Sequence, residues 1–517
     1  MNIKVQQGDI ASFQADAVVV NLFEGVTSPG GATGAVDRAM GGAINALIAQ
    51  GDIRGKSGEI TLVHTLGPSA GSGLPAPRVI VAGLGKSADF SVDKVRDLSG
   101  NLARYLRRQR IKHAAVITHG AGIGGMDAEA CAEAITEGTI LGLYRFLRHK
   151  HVLGNAEGNT EDDGTELETL TIVEQDGSKL PMLERGVERG RILAEATNVC
   201  RDLANEPANY LTPIDLADKA AELAKEAGID CEVYGPEWMR EKGMGALLGV
   251  AAGSVQEPRF IVMRYKGAGE ERPLALVGKG ITFDTGGISI KPAENMGEMK
   301  GDMTGAAAVV SAISAIAKLR PRLNVIAVAP CTENMPSGSA TKPGDVLKTM
   351  SGKTIEVVNT DAEGRLVLSD ALTYARQEGA RAMVDVATLT GAISTTLGNV
   401  AMGAMTNNGN LLGRVRKAAA AAGEKIWELP MFDEYKELIK SDVADMKNSG
   451  GRQAGSISAA FLLKEFVDDT PWVHLDIAGV DTYERENGVY VKGSSGIPVR
   501  TLVKLALQMA GQGGEPK

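Results

Sequence analysis

Cysteine and histidine are both scarce in this sequence of 517 residues. The four cysteines occur in no Cys-x-x-Cys or Cys/His pattern, so the sequence predicts neither a disulfide framework nor a zinc finger. The six histidines form no group with the spacing of metal ligands. His474 belongs to a buried-strand pattern, which predicts a hydrogen-bonded core histidine. Metal ligands are therefore to be sought among the carboxylates.

An excess of positive charge and long apolar runs are missing as well. The formal net charge of -9 and the pI near 5.4 argue against general binding to nucleic acid or to membrane surfaces. Residues 1–16 are polar and alternating where a signal peptide would be apolar. No apolar run approaches the ~20 residues needed to span a bilayer. We therefore expect a cytoplasmic protein with no membrane partner.

The length predicts two domains, because 517 residues exceed what one ordinary core serves. In the first part, apolar runs alternate with helical patterns, which favours an α/β sandwich. Residues 154–177 are acidic and rich in glycine and predict a flexible, exposed loop. A long helical pattern over 182–203 follows. We place the domain boundary near residue 180, giving domains 1–180 and 181–517.

The second part again alternates strand and helix patterns. Its apolar runs predict a mainly parallel central sheet covered on both faces, since nearly every position in them is apolar. The predicted strands span 259–265, 274–277, 324–329, 354–358, 383–387 and 473–477. Helices are predicted between them, among them 303–319 and 365–377. The fold class is therefore α/β in both domains.

The segment Asn-Thr-Asp-Ala-Glu-Gly-Arg-Leu at 359–366 concentrates charge between a predicted strand and a predicted helix. Ligands of open parallel sheets bind where such strands end. Asp361 and Glu363 are two residues apart, so in an extended loop their side chains point the same way. Two carboxylates held that close repel each other unless a positive charge lies between them. A divalent metal ion would supply that charge.

A second polar segment follows the apolar run 274–277 and spans 278–303. It contributes Asp284 and Asp302, so four carboxylates in all could balance two dications. Oxygen ligands with one nitrogen suit Mn, Mg or Zn. Lys279 could supply the nitrogen once the metal displaces its proton.

Residues 359–366 match, letter for letter, the signature of the leucyl aminopeptidases, also called cytosol aminopeptidases. Segment 278–291 is similar to theirs too, as are Asn205-Glu206-Pro207, Gly451-Arg452 with Ala454-Gly455, and Trp472 with 474–479. The resemblance covers at least residues 201–505, in the family's order and spacing. It implies an N-terminal macro-like domain and a C-terminal catalytic domain.

The resemblance also implies roles for the polar residues. Asp284 and Glu363 would bridge two metal ions, with Asp361 completing one site and Lys279 and Asp302 the other. These ions would be Mn²⁺ or Zn²⁺, with Mg²⁺ and Co²⁺ as alternatives. Lys291 would stabilise the oxyanion formed during attack. Arg365, near a helix N-terminus, would bind a bicarbonate ion that acts as general base.

The match in position further implies a substrate pocket. Its predicted residues are Met299, Thr388, Leu389, Gly391 and Ala478. Some relatives have an apolar residue three places after the alanine, where this chain has Asp481. We expect a broader or more polar specificity than leucine alone. Thr304 replaces a Gly or Ser of relatives, a small change that we expect to be tolerated.

The implied function is removal of N-terminal amino acids from peptides with a free N-terminus, by a homohexamer in the cytoplasm. Two alternatives remain at this point. One is a dimetal phosphoesterase-type hydrolase that uses the same ligands. The other is a catalytically dead scaffold whose N-terminal domain binds a nucleotide such as ADP-ribose. Hydrolysis of an aminoacyl substrate without hydrolysis of a phosphate ester would distinguish the aminopeptidase from the first alternative. A titration with ADP-ribose tests the second alternative.

Overall fold

Alternating strands and helices build two α/β units, which confirms the predicted fold class. The structure is a computed structural model and describes residues 1–65, 73–122, 125–150 and 166–511. Unit 1 comprises Met1–Glu195 and Arg485–Val491, and unit 2 comprises Ala196–Glu484 and Lys492–Lys517. We predicted the boundary near residue 180, where the helix Leu180–Asn205 begins, but the two units divide within that helix, between Glu195 and Ala196.

Unit 1 has a six-stranded sheet in the order β1-β6-β5-β2-β4-β3. All neighbouring strands are parallel except β3 and β4. Its strands are β1 Asn2–Gln7, β2 Ala17–Phe23, β3 Ile60–His64, β4 Arg78–Gly85, β5 His113–Ile117 and β6 Thr169–Glu174. Its helices are α1 Gly31–Ala39, α2 Ala43–Gln50, α3 Val92–Arg108 and α4 Ala128–Gly142, followed by α5 Leu180–Asn205.

The loop predicted over 154–177 is wrong for its second half. Residues 169–174 form β6, which pairs with β1 on one side and β5 on the other. The sequence Thr-Leu-Thr-Ile-Val-Glu is rich in β-branched residues, and its interior positions are buried in the sheet. The acidic, glycine-rich residues before it dominated the composition of the window and obscured the strand. The first half of the predicted loop, up to residue 165, lies outside the described residues.

Unit 2 has a mixed and mostly parallel nine-stranded sheet in the order β16-β15-β18-β14-β9-β11-β8-β7, with β10 paired to β11. Its strands are β7 Asp230–Tyr234, β8 Arg259–Lys266, β9 Leu274–Gly278, β10 Gly280–Asp284, β11 Asn324–Asn334, β14 Ala382–Ala387, β15 Met402–Thr406, β16 Ile426–Glu428 and β18 Trp472–Asp476. Two small sheets contain β12 Val346–Lys348, β13 Thr354–Glu356 and β17 Met446–Lys447, and β19 Thr482–Tyr483 and β20 Gly493–Ser494. The helices are α6 Pro213–Ala227, α7 Pro236–Glu241, α8 Gly245–Ala251, α9 Thr304–Leu319, α10 Gly364–Gln377, α11 Gly391–Leu397, α12 Gly409–Ala422, α13 Gly455–Lys464 and α14 Val499–Gly511.

Helix α9 is buried in the interior of unit 2. Together with the preceding 3-10 helix Met296–Met303, it is long and apolar enough to cross a membrane, but 89% of its most apolar stretch is buried within the protein. It lies so close to β9 that a Cβ on Gly278 would be 2.3 Å from the Gly305 carbonyl oxygen. Thr304 fits at its first turn, since its hydroxyl donates to the Gly301 carbonyl at 2.6 Å. This helix therefore belongs to the core.

The strand that precedes residues 359–366 does not belong to the large sheet, contrary to our expectation. β13 lies in the three-stranded sheet β12-β13-β17. Its short apolar pattern predicts a strand, but periodicity does not specify which strands it pairs with. The loop with Asp361 and Glu363 therefore follows a strand of the small sheet and not one of the large sheet.

Candidate metal centre and its cavity

Three separate stretches of unit 2 bring charged residues to one cavity of about 890 Å³. Lys279 links β9 to β10, and Asp284 is the last residue of β10. Asp302 lies in the 3-10 helix before α9, and Asp361 and Glu363 lie just before α10. All five predicted metal ligands line this cavity.

Lys279 lies at the centre of one half of the cluster. Its Nζ is 2.8 Å from Asp302 Oδ1 and 2.8 Å from Glu363 Oε1, and it donates to the Thr388 carbonyl at 3.0 Å. The Thr388 hydroxyl donates to the same Asp302 oxygen at 2.7 Å. Lys279, Asp302 and Glu363 are all buried, so this ion-paired group is shielded from water.

Lys291 lies at the centre of the other half. Its Nζ is 2.8 Å from Asp284 Oδ2 and 2.5 Å from Asp361 Oδ1. Asn334 donates to Asp284 Oδ1 at 2.8 Å, and so does the Gly286 backbone N–H at the same distance. These contacts fix the carboxylate of Asp284 at the end of its strand.

The two lysines do not satisfy all the carboxylate oxygens of the cluster, and a metal ion could bind the remaining ones. Asp284, Asp361 and Glu363 each offer an oxygen, and these oxygens lie within 4.8 Å of one another. The second oxygens of Asp302 and Glu363 are buried, and no group of the described residues donates a hydrogen bond to them. A buried carboxylate oxygen without a partner is costly. Hard dications prefer such oxygens, so the donor set fits one or two of them.

The pKa values of the carboxylates are shifted by burial and by repulsion between neighbouring carboxylates. Burial and the neighbouring Glu363 raise the pKa of Asp284 to about 6. Burial also raises the pKa of Asp302 well above its usual range. Burial alone would lower the pKa of Lys279, but attraction to Asp302 and Glu363 outweighs it and raises that pKa. The protein chain therefore lacks positive charge at this cluster, which a bound dication would supply.

Two glycines permit the close packing around the cluster. Gly286 has φ +86°, and a Cβ there would lie 2.8 Å from Asp361 Oδ1. A Cβ on Gly364 would lie 2.6 Å from Cε of Lys279. Real Cβ atoms do not approach that closely, so side chains at these positions would displace the ligands.

Arg365 lies in the first turn of α10 and is 7% exposed. Its Nη1 donates to the Asn448 carbonyl at 2.8 Å, and its Nε has no hydrogen-bond partner among the described residues. Burial lowers the pKa of Arg365 to about 10, so it stays charged at neutral pH. An unpaired guanidinium N–H beside a helix N-terminus suits an anion.

The residues predicted for the substrate pocket line the same cavity. The structure brings together Met299, Thr388, Leu389, Gly391 and Ala478 with the charged cluster. Thr388 and Leu389 follow β14, and Ala478 follows β18. All three residues therefore lie beyond the carboxyl ends of neighbouring parallel strands. Asp481 also lines the cavity.

Several supporting residues were not predicted. Asn448 accepts hydrogen bonds from the N–H groups of Val358 and Asn359 and donates to the Asn359 carbonyl at 2.6 Å, which fixes the start of the 359–366 loop. Asp476 accepts from Thr390 Oγ1 at 2.6 Å and from the Leu389 N–H at 3.1 Å. A single Asn or Asp carries no pattern that marks such a role. The position of Asp476 at the end of a buried strand was the one available signal.

His474 is a core histidine, as predicted. It is fully buried on β18, with Nδ1 2.5 Å from Asp385 Oδ1. The other Asp385 oxygen accepts from Trp472 Nε1 at 2.5 Å. These bonds place the histidine within the sheet and leave it out of the charged cluster.

Two parts of the sequence match profiles of one known protein family. Residues 198–503 match the profile of the "Cytosol aminopeptidase family, catalytic domain", and residues 19–152 match that of the family's N-terminal domain. A probable cytosol aminopeptidase of Alkaliphilus metalliredigens is 43% identical over 511 residues, covering 98% of this chain and 100% of the relative. That of Solibacter usitatus is 45% identical and covers 98% and 99%.

Solved structures agree with the sequences. A mutant of tomato leucine aminopeptidase is 35% identical, with a TM-score of 0.84 and coverage of 98% of this chain and 96% of that one. The bottromycin maturation enzyme BotP in complex with Mn is 32% identical, with a TM-score of 0.82 and coverage of 96% and 100%. The similarity thus extends over both units and includes a protein whose structure holds manganese.

Proposed function

Because this chain belongs to the cytosol aminopeptidase family, it is a metal-dependent aminopeptidase, and we propose that the cavity of unit 2 is its active site. The observation that carries the proposal is the convergence of Lys279 and four carboxylates from three stretches of the chain. Peptides with a free N-terminus are the substrates. Asp284, Asp302, Asp361, Glu363 and Lys279 would together hold two dications.

The identity of the ions is part of the proposal. We propose Mn²⁺ or Zn²⁺, because one nitrogen and several carboxylate oxygens suit these ions, and Mg²⁺ or Co²⁺ as alternatives. The manganese in BotP supports the first choice. When bound, such a pair of dications supplies an activated water and polarises the scissile carbonyl, as in other two-metal hydrolases, aminopeptidases among them.

The chain's own residues would perform the remaining tasks. Lys291 carries an ammonium group whose pKa is raised, against the effect of burial, by Asp284 and Asp361. It can therefore donate a hydrogen bond to the oxyanion that develops on the peptide carbonyl. Lys279 would give up its proton when it becomes a ligand. The carboxylates would hold the ions beside the Lys291 ammonium group.

Arg365 would hold a bicarbonate ion, which would supply a general base. Its free Nε and its place in the first turn of α10 support an anion there. The described cavity-lining residues include no histidine, which agrees with a base borrowed from solution.

The assembly and the location that we propose for the protein also follow those expected for the family. We place the protein in the cytoplasm as a homohexamer. Large apolar side chains such as Trp427 and Phe432 are each 63% exposed in the single chain, and burying them between copies would be favourable. Sedimentation velocity of the purified protein at micromolar concentration would show a species six times the chain mass, and a monomer would contradict this part.

The reaction is tested by removing the metal with a chelator and adding back Mn²⁺, Zn²⁺, Mg²⁺ or Co²⁺. The substrates are an aminoacyl p-nitroanilide, its N-acetylated form and p-nitrophenyl phosphate. We expect the first to be cleaved only with metal, and the other two not at all. Cleavage of the phosphate ester instead would favour the phosphoesterase alternative, and cleavage without metal would contradict the proposed site.

A further inference from the structure

Asp481 is a carboxylate in the active-site cavity that the proposed mechanism does not use. It follows β18 and immediately precedes β19, and it is partly buried. Its Oδ1 accepts a hydrogen bond from the Gly479 N–H at 3.2 Å. Its Oδ2 faces the 3-10 helix Met296–Met303, since a Cβ on Gly301 would lie 3.8 Å from it. The carboxylate is therefore held at the cavity wall beside the segment that carries Met299.

The surroundings of Asp481 contain negative charge and no compensating cation. Burial, with smaller contributions from the carboxylates of Asp476 and Glu298, raises the pKa of Asp481 to about 6. In the described part of the chain, no lysine or arginine forms an ion pair with Asp481. Arg452 lines the same cavity but is not paired with this carboxylate. A carboxylate in such a place is destabilised until a cation binds beside it.

The rest of the wall supplies apolar surface. Met299, Leu389 and Ala478 line the cavity together with Asp481. Arginine and lysine side chains have a matching shape, because an apolar stem ends in a cationic group. A leucine side chain would instead leave the Asp481 carboxylate without a cationic partner.

We infer that Asp481 is a specificity-determining residue, which binds the cationic side chain of an N-terminal arginine or lysine of the substrate. This inference rests on the proposed function, because it assigns a role within the same cavity. Among the described residues, no hydrogen bond or ion pair joins Asp481 to the five predicted metal ligands, so its replacement should change the choice of substrate and leave the chemistry intact.

The test compares kcat/KM for arginyl, lysyl, citrullinyl and leucyl p-nitroanilides with the manganese-loaded protein. Citrulline has the shape of arginine without its charge. We expect the wild type to prefer arginyl over citrullinyl substrate by about tenfold or more, since a desolvated ion pair is lost with the latter. Asp481→Asn and Asp481→Ser should lower the arginyl and lysyl values by a similar factor and leave the leucyl value within about threefold.

Asp442→Asn is the matched control, because it removes the same charge from an exposed site outside the cavity. It should leave the ratio of arginyl to leucyl activity unchanged. Leucyl hydrolysis by each Asp481 variant shows that the variant is folded. Equal wild-type rates for arginyl and citrullinyl substrates, or a marked preference for leucyl, would overturn the inference even if no variant folds. If the wild type cleaves none of the four substrates, the proposed function itself has failed.

Discussion

At the scale of single residues, the site combines charged groups, each of which would be unfavourable to bury alone. Lys279 is buried, and so are Asp302 and Glu363, to which it is paired. Burying a charge costs free energy unless an opposite charge accompanies it. Lys279, Asp302 and Glu363 are therefore held as a group, and removing one of them exposes the others to that cost.

Replacing Lys291 should impair the chemical step and leave the metal in place. In Lys291→Met, the donor to the developing oxyanion is lost, so we expect kcat to fall about a hundredfold or more. The four carboxylates and Lys279 remain, so metal content per chain should match the wild type. Steady-state kinetics and elemental analysis of the same samples measure both quantities.

Lys342→Met serves as the control for that measurement, because Lys342 is exposed and pairs with Asp345 at the surface. It should leave kcat within about twofold of the wild type, as surface pairs contribute little. A Lys291→Met protein that keeps both full metal content and normal kcat would exclude the proposed role.

His119 should make unit 1 less stable at acid pH. It is fully buried, its Nδ1 lies 2.9 Å from Asn21 Nδ2, and burial lowers its pKa to about 4. Between the unfolded pKa near 6.5 and pH 4, the unfolded chain binds a proton that the folded chain does not. The free energy of unfolding therefore falls as the pH falls through this window, by up to about 1.4 kcal/mol per pH unit.

His119→Gln removes that titration. We expect its melting temperature to fall less than that of the wild type between pH 6.5 and 4.5, measured by differential scanning fluorimetry. His64→Gln is the control, because His64 is exposed on β3. Parallel pH profiles for the wild type and His119→Gln would show that His119 does not determine the acid response.

At the scale of elements, the N-terminus of α10 determines where two ligands and Arg365 lie. Glu363 immediately precedes the helix, and Gly364 occupies its first position beside the buried Lys279 side chain. The helix is then buried along Leu366–Leu368, so its position relative to β9 is fixed by packing. A ligand on a rigid element is more precisely placed than one on a loop.

Gly364→Ala should therefore displace Lys279. The added Cβ would lie 2.6 Å from Cε and 2.8 Å from Nζ of that lysine. We expect kcat/KM to fall tenfold or more, since small displacements of catalytic groups are costly. Gly413→Ala in α12 is the control, because the structure has open space at that position.

The control variant should stay fully active. It should also be more stable by about 0.5 to 1 kcal/mol, since alanine favours a helix interior over glycine. If Gly364→Ala matches Gly413→Ala in activity, the close packing at Lys279 is unimportant for catalysis.

Most strands and helices of the site could be predicted because they are apolar at nearly every position. The strand 274–277 and the helix 303–319 are examples, and the structure has them at Leu274–Gly278 and Thr304–Leu319. Pairing is less predictable, because a strand's pattern does not identify its neighbour. β13 was therefore expected in the large sheet and lies in a small one. Asn334 and Asn448 were missed because their hydrogen bonds depend on distant residues.

At the scale of the whole molecule, the length and the alternation of patterns predicted two α/β units. The return of Arg485–Val491 to unit 1 was not predicted. Val489 is buried there with Leu141 and Ala194, an arrangement that joins residues far apart in sequence. No local pattern records such a contact. The family resemblance rested on 201–505, and the comparisons extend it over the full chain.

We expect Lys279, Asp284, Asp302, Asp361 and Glu363 to hold two dications. The direct measurement is anomalous diffraction from a crystal of the manganese-loaded protein, recorded near the manganese absorption edge. We predict two anomalous peaks per chain, both within bonding distance of these five side chains. A map with no peak at the cluster, or with manganese bound elsewhere and the five side chains apart, would contradict the account.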